Sequence, residues 1–292
     1  MPRACRITAP LRDPVALPVL DPPEVPPEVT SSVSPTGDAS PAATVGLPGD
    51  TTLGYVHSHE ATSALDGPGP RYVVWLTGCL MRCQYCHNPD TWNLIHGRPT
   101  PATEVLDDLT RYAAFLKAAR GGFTVSGGEP LAQPGFTLRL VRGAGALGLH
   151  TALDTNGYLG ERLTDDQLGE IDLFLLDLKS FLPDLHERVT GVKNDAVLRF
   201  ARRLEELERP AWVRFVLVPG LTDDARNVAQ LADFTATLGN VERVEVLPFH
   251  QMGRSKWDQL GMPYPLRDTP SATDDQVEAA CDVFRAAGAP VA

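Results

Sequence analysis

The chain has 292 residues, with 26 Lys plus Arg against 37 Asp plus Glu and a net charge of −11. That acidity argues against sequence-independent nucleic-acid binding, which needs basic surface, and 43% hydrophobic residues suit a folded core rather than global disorder. No apolar run approaches the roughly 18–20 residues that span a bilayer, so no membrane association is expected.

Residues 1–50 hold 11 of the 26 prolines, with Ser, Thr, Ala and Gly between them. Such a segment cannot bury enough apolar area to offset its ordering entropy. It reads as a disordered, Pro-rich extension before a folded domain over 51–292. Its most apolar stretch, Val15 to Leu20, is short and broken by Pro18, so no secretory signal is read there. A cytoplasmic protein with reduced thiols is expected. The five cysteines are Cys5, Cys79, Cys83, Cys86 and Cys281. An odd, clustered set fits metal or catalytic chemistry better than a disulfide framework.

From residue 70 onward six β-rich runs follow: Tyr72–Leu76, Gly122–Ser126, His150–Asp154, Leu173–Leu178, Trp212–Val218 and Val244–Phe249. Apolar residues at three- and four-residue steps predict helices over 103–119 and 223–238, the second capped by Gly239. Thr273 and Gln276 predict a capping box opening a helix over 273–287, ended by Gly288. Weaker helical patterns fill 136–147 and 194–208. Alternating strands and helices imply parallel βα units in an α/β fold, either an open, partial barrel or a doubly wound sheet.

Ligands of parallel α/β folds bind outside the carboxyl ends of the strands. Here those ends carry Gly78-Cys79, Ser126-Gly127-Gly128-Glu129, Asp154-Thr155-Asn156-Gly157, Asp177 with Lys179, Arg214 leading to Pro219-Gly220, and His250. Six such ends in series point to one shared pocket. Cys79, Cys83 and Cys86 form Cys-x3-Cys-x2-Cys after the first strand. Three readings compete. Cys83-Gln-Tyr-Cys86-His87 has the form of a c-type haem attachment pattern, which would need export and a haem-sized helical pocket. Three thiolates with His87 could hold zinc. Three thiolates could instead hold a [4Fe–4S] cluster with one iron open to a further ligand. The Gly127-Gly128 pair would let a ligand approach the backbone, and the Glu129 carboxylate suits an ammonium group. Asp177 and Lys179 could equally form a structural ion pair.

Cys79-Leu-Met-Arg-Cys83-Gln-Tyr-Cys86 resembles the signature loop of radical S-adenosylmethionine enzymes. Asp66-Gly-Pro-Gly69, Cys86-His-Asn-Pro-Asp-Thr-Trp92, Ser126–Glu129, Leu153–Gly157, Leu176–Lys179, Val218–Gly220, Leu247–His250 and Lys256-Trp257 are similar, in order, to the pyruvate formate-lyase activating family, the glycyl radical enzyme activases, over residues 54–292. The resemblance implies a partial (β/α)6 TIM-like barrel. It implies a [4Fe–4S] cluster on Cys79, Cys83 and Cys86, S-adenosylmethionine on its open iron, and abstraction of hydrogen from a glycine of pyruvate formate-lyase in anaerobic metabolism. Tyr85, Cys86 and His87 should then border the cofactor, with Gly127, Gly128 and Glu129 at its methionine amino group. Asp177, Leu178 and Lys179 should meet its methionine or ribose portion and His250 its adenosyl end. Lys179 and Arg214 would supply positive charge to its carboxylate. Asp154 and Thr155 match a monovalent-cation position, and Asp66 should lie near the partner peptide. A flavodoxin- or ferredoxin-type electron donor and a monomeric chain are also implied. Only Trp92 to Arg98 separates the loop from the next helix, which favours the short type without extra clusters. Another glycyl radical enzyme or a small molecule remains the alternative substrate, and a zinc-stabilised binding module the alternative class.

Overall fold

Runs such as Leu173-Phe-Leu-Leu, apolar at successive positions, suit strands covered on both faces, as parallel strands are. The computed structural model describes residues 52–292, and the expected extension over 1–50 lies outside the described residues. The strands are β1 (Leu53–Ser63), β2 (Arg71–Leu76), β3 (Arg98–Pro101), β4 (Gly122–Gly127), β5 (His150–Thr155), β6 (Leu173–Asp177), β7 (Ala211–Leu217) and β8 (Val241–Pro248). They form one sheet in the order β3-β1-β2-β4-β5-β6-β7-β8. β2 and β4 to β8 run parallel to one another. They are the six expected strands, and the sheet stays open between β3 and β8.

The helices are α1 (Ala102–Ala118), α2 (Pro134–Ala146), α3 (Asp165–Leu168), α4 (Pro183–Thr190), α5 (Asp195–Glu206), α6 (Ala225–Ala236), α7 (Arg254–Gln259) and α8 (Asp274–Ala286). Leu106, Leu109 and Leu116 of α1, Leu204 of α5, Leu231 of α6 and Phe284 of α8 join Phe123, Phe174 and Phe215 of the strands in the main core. Side chains alternate across a strand, so Leu173 and Leu175 point away from Phe174 and Leu176. They form a small separate cluster with Ala152 and Trp212 on the other face of the sheet. Among the described residues no helix is long and apolar enough to cross a membrane.

Several elements were not expected. β1 reads Leu-Gly-Tyr-Val-His-Ser-His-Glu, too polar to stand out, yet it pairs antiparallel with β2. β3, Arg-Pro-Thr-Pro, holds the outermost position, where missing proline donors are tolerated. The short helices α3, α4 and α7 follow strand ends, where periodicity is too brief to read. The capping box of Thr273 and Gln276 is present. Gly239 does not cap α6: the helix ends at Ala236, where the Thr237 hydroxyl donates to the Phe234 carbonyl.

Candidate active site

The carboxyl ends of the parallel strands converge on a cavity of about 510 Å³. Cys79, Cys83, Cys86, Asp154, Asp177, Lys179, Arg214 and His250 all line it, although up to 171 positions separate them in sequence. Parallel register brings this about: Trp75, Ser126, Asp154, Asp177 and Arg214 sit at the same end of adjacent strands.

The cysteine loop is held by backbone groups rather than by repetitive structure. Gly78 N donates to Thr91 O (2.7 Å) and Cys79 N to Trp92 O (3.0 Å). Arg82 N and Gln84 N donate to Thr190 O and Val189 O at 2.7 and 2.9 Å, so the end of α4 carries the middle of the loop. From the other side the Trp257 indole of α7 donates to Cys86 O (2.8 Å), and Lys256 Nζ lies 2.8 Å from Asn88 Oδ1 and 3.1 Å from Asp90 Oδ2. His57 of β1 completes this clamp at 2.9 Å from Asp90. Burial raises all three thiols, with Cys86 pushed up to about 12. Among the described residues no three His, Cys, Asp or Glu side chains gather tightly enough for a single metal ion. Three thiols distributed along one loop suit a polynuclear cluster, whose ligands bind separate irons. His87 packs against His250 with 4.3 Å between ring centroids and the rings tilted by 36°, and burial, then His250, lowers it to about 4.

Acid and base alternate along the opposite wall. Lys179 Nζ lies 2.7 Å from Asp177 Oδ2 and 5.7 Å above the Tyr85 ring. Burial opposes its charge, but Asp177, Tyr85 and Cys83 together outweigh that, and the ammonium stays well above its ordinary range. Arg214 is only 8% exposed. It lies 3.4 Å from Asp154 and 3.2 Å from Glu245 and donates to Leu65 O. Asp154 also accepts from Ser126 Oγ at 2.6 Å. Burial raises Asp154 to about 6, against the pull of Arg214 and with the push of Asp177 and Asp66. Asp66 accepts from Ser63 Oγ (2.5 Å), and its carbonyl accepts from Thr124 Oγ1 of β4 (2.7 Å). The loop between β1 and β2 therefore lines the cavity too.

The glycines form a backbone ledge. Gly127 has φ +130°, and a Cβ there would meet the Leu76 backbone at 2.2 Å. A Cβ on Gly128 would lie 2.7 Å from Gly78 O. Only glycine lets this ledge and the cysteine loop pass so closely. Tyr85 Oη and His250 Nδ1 are buried, border the cavity and have no hydrogen-bond partner in the chain. Two unpartnered polar atoms and a bare backbone ledge fit a polar ligand seated against the thiols.

Of the expected site residues, Asp66, Tyr85, His87, Gly127, Gly128, Thr155 and the eight named above line this one cavity. Glu129 and Leu178 do not. Glu129 is 1% exposed, and its carboxylate accepts from Leu131 N (2.9 Å), Thr155 Oγ1 (2.7 Å) and Asn156 N (2.8 Å). It ties the glycine ledge to the β5 loop and has no free face for an ammonium group. Leu178 is buried, and its N–H donates to Arg214 O. Three residues gained roles that the sequence reading had not given them. Asn156 places Nδ2 3.7 Å from Cys79 Sγ, Glu245 pairs with Arg214, and Trp257 holds Cys86. For Glu245 a signal existed: it lies two positions before Leu247 on β8, in register with Arg214.

The Radical SAM superfamily profile matches residues 73–232. Over 234 residues the chain is 42% identical to the pyruvate formate-lyase-activating enzyme of Staphylococcus epidermidis, covering 78% of this chain and 93% of the relative. The enzyme of the same name from Staphylococcus aureus shows the same identity and coverage. A domain of the pyruvate-formate lyase-activating enzyme of Bacteroides vulgatus superposes with a TM-score of 0.50 at 26% identity, covering 59% of this chain and 98% of that one. The Streptococcus suis protein SuiB bound to its precursor peptide SuiA shares the fold, with a TM-score of 0.56 at 19% identity over 75% of this chain and 46% of that one.

Proposed function

The chain belongs to the radical SAM superfamily, within the pyruvate formate-lyase-activating enzymes, and from that premise we propose how its residues divide the work. It is an oxidoreductase of the formate C-acetyltransferase-activating type, which activates pyruvate formate-lyase by reductive cleavage of S-adenosylmethionine. The observation that carries this reading is the convergence of three thiols, a glycine ledge and paired charges on one cavity.

Cys79, Cys83 and Cys86 would hold the [4Fe–4S] cluster, with one iron left for S-adenosylmethionine. Together these groups supply one electron and a carbon-centred radical able to take hydrogen from the partner's glycine. The chain supplies binding, orientation and exclusion of water. Gly127 and Gly128 offer backbone groups to the methionine amino group. Lys179 balances the cofactor carboxylate while Asp177 keeps its ammonium charged and aimed. Tyr85 Oη and His250 Nδ1 gain their missing partners from the cofactor, with His250 at the adenosyl end. Arg214 acts mainly by fixing Asp154, Glu245 and Leu65. Asp154 and Thr155, which both line the cavity, would take a monovalent cation beside the cofactor carboxylate. Asp66 stands where the partner's glycine loop would enter. A flavodoxin- or ferredoxin-type donor, a cytoplasmic location and a monomeric chain complete the reading.

The test is anaerobic electron paramagnetic resonance. The reconstituted protein is reduced, given S-adenosylmethionine and mixed with pyruvate formate-lyase. A persistent glycyl doublet in the partner is expected. Free 5′-deoxyadenosine without the doublet would move the substrate to another glycyl radical enzyme or a small molecule. Stoichiometric zinc without iron would end the reading.

A further inference from the structure

A second, open cavity of about 720 Å³ shares Cys79 and Trp92 with the active-site cavity. The two spaces thus share one residue of the cysteine loop, Cys79. This groove has an apolar rim. Of the eight large apolar side chains exposed among the described residues, Leu80, Leu94 and Leu260 line it, and Ile95 follows Leu94 in the same helical turn. Single exposed leucines need no explanation, but half of the exposed set around one groove does.

The charge of the groove opposes that of the chain. Its lining includes Arg82, Arg162 and His96 and no Asp or Glu, although the whole chain carries −11. Arg82 lies over the Trp92 ring at 4.9 Å and donates to Cys79 O at 2.7 Å. Arg162 donates to Ala132 O at 3.1 Å. Acids close in sequence to lining residues are engaged: Asp90 with His57 and Lys256, Glu161 with Arg199 at 3.2 Å, and Asp258 with Arg267. An apolar rim beside cations, with no carboxylate in the lining, fits an acidic protein face and repels a basic one.

We propose that this groove is the docking surface for the acidic electron-transfer protein that reduces the cluster. The inference rests on the reading that the three cysteines hold that cluster. One electron leaves the donor's reduced centre, which is oxidised by one electron, and enters the cluster through the Cys79 side of the loop. The cofactor cavity stays free for S-adenosylmethionine and the glycine loop, so reduction does not compete with the partner enzyme for the same mouth. A small, charge-steered encounter surface suits such a transient contact.

The experiment compares two reductants on the holoenzyme under anaerobic stopped flow: a reduced flavodoxin and sodium dithionite. Ile95→Glu, Leu260→Glu and Arg162→Glu are exposed changes outside the cysteine loop and the cofactor cavity. Each is expected to slow flavodoxin-driven cluster reduction at least tenfold at low ionic strength, and Arg162→Glu to flatten its fall with added salt. Dithionite reduction and the S-adenosylmethionine cleavage that follows should match the parent. Parent rates with flavodoxin in all three variants would overturn the proposal. Failure of the dithionite-reduced parent to cleave S-adenosylmethionine would instead overturn the functional reading. Should a variant lose iron, amide exchange on the parent decides. Flavodoxin is expected to protect residues 93–96 and 259–262, and no protection there would overturn the proposal.

Discussion

Asn156 Nδ2 lies 3.7 Å from Cys79 Sγ, and two further hydrogen bonds hold the Asn156 residue in place. Its Oδ1 accepts from Tyr158 N at 3.0 Å, and its own N–H donates to Glu129 at 2.8 Å. The sulfur of one cysteine therefore receives an N–H donor fixed through a buried carboxylate that follows the neighbouring strand β4. Donors to cluster sulfurs raise reduction potential. Asn156→Leu should lower the reduced-to-oxidised ratio of the cluster about fivefold at fixed poise, the equivalent of about 1 kcal/mol. Anaerobic redox titration checks this, and an unchanged midpoint with full iron content would contradict it.

Glu129 gives a pH signature to the cluster-free protein. Burial raises its folded-state pKa to about 7, against the hydrogen bonds that Leu131, Thr155 and Asn156 donate. Between its unfolded value near 4.5 and about 7 the folded chain holds the extra proton. The contribution is full below 4.5 and is lost as pH rises through that window. Urea midpoints should therefore decline more steeply with pH in the parent than in Glu129→Gln, which cannot titrate. Equal slopes would mean that the carboxyl is ionised throughout.

Lys179 and Asp177 can be separated from a purely structural pair by cofactor affinity. Lys179→Met should weaken S-adenosylmethionine binding roughly 10–100-fold while iron content stays at the parent level, since a charge-assisted contact is worth about 1.5–3 kcal/mol. Asp177→Asn should weaken it less, because the ammonium remains. Anaerobic equilibrium dialysis reads both, and unchanged affinity would return the pair to a structural role.

The clamp on the cysteine loop should show in acid. Burial pushes Asp90 up, but His57 and Lys256 hold it below the usual carboxylate range. A lowered folded-state value means stability present above the ordinary pKa near 3.8 and lost as pH falls through the folded one. Lys256→Met should lower apo-protein stability by about 1 kcal/mol near neutrality and raise amide exchange across residues 86–92. Exchange confined to parent levels would show that Lys256 adds nothing to the hold of the other contacts on the loop.

Cysteine variants should divide by place. Cys281 is buried in α8 within the main core. Cys281→Ala should keep the iron and cost about 1 kcal/mol of stability. Cys83→Ala should lose most of the cluster absorbance and iron. A full cluster in Cys83→Ala would refute the ligand assignment.

Local pattern determined much of this protein. Six apolar runs between helical periods gave the parallel strands, because side-chain alternation and helical spacing act over a few residues. Cys79, Cys83 and Cys86 stood out by spacing, and Asp154, Asp177, Lys179, Arg214 and His250 by their place at strand ends, where parallel register must gather them. Tertiary structure decided what those side chains touch. Glu129 looked like a ligand beside two glycines, but long-range packing gave both its oxygens to donors that include Thr155 and Asn156. Asn156 meets Cys79 across 77 positions and Lys256 meets Asp90 across 166. Spacing carries no trace of such pairs, since only the folded chain brings them within bonding distance. The polar strand β1 and the groove beside Cys79 were equally illegible, because each depends on which surfaces the fold leaves covered.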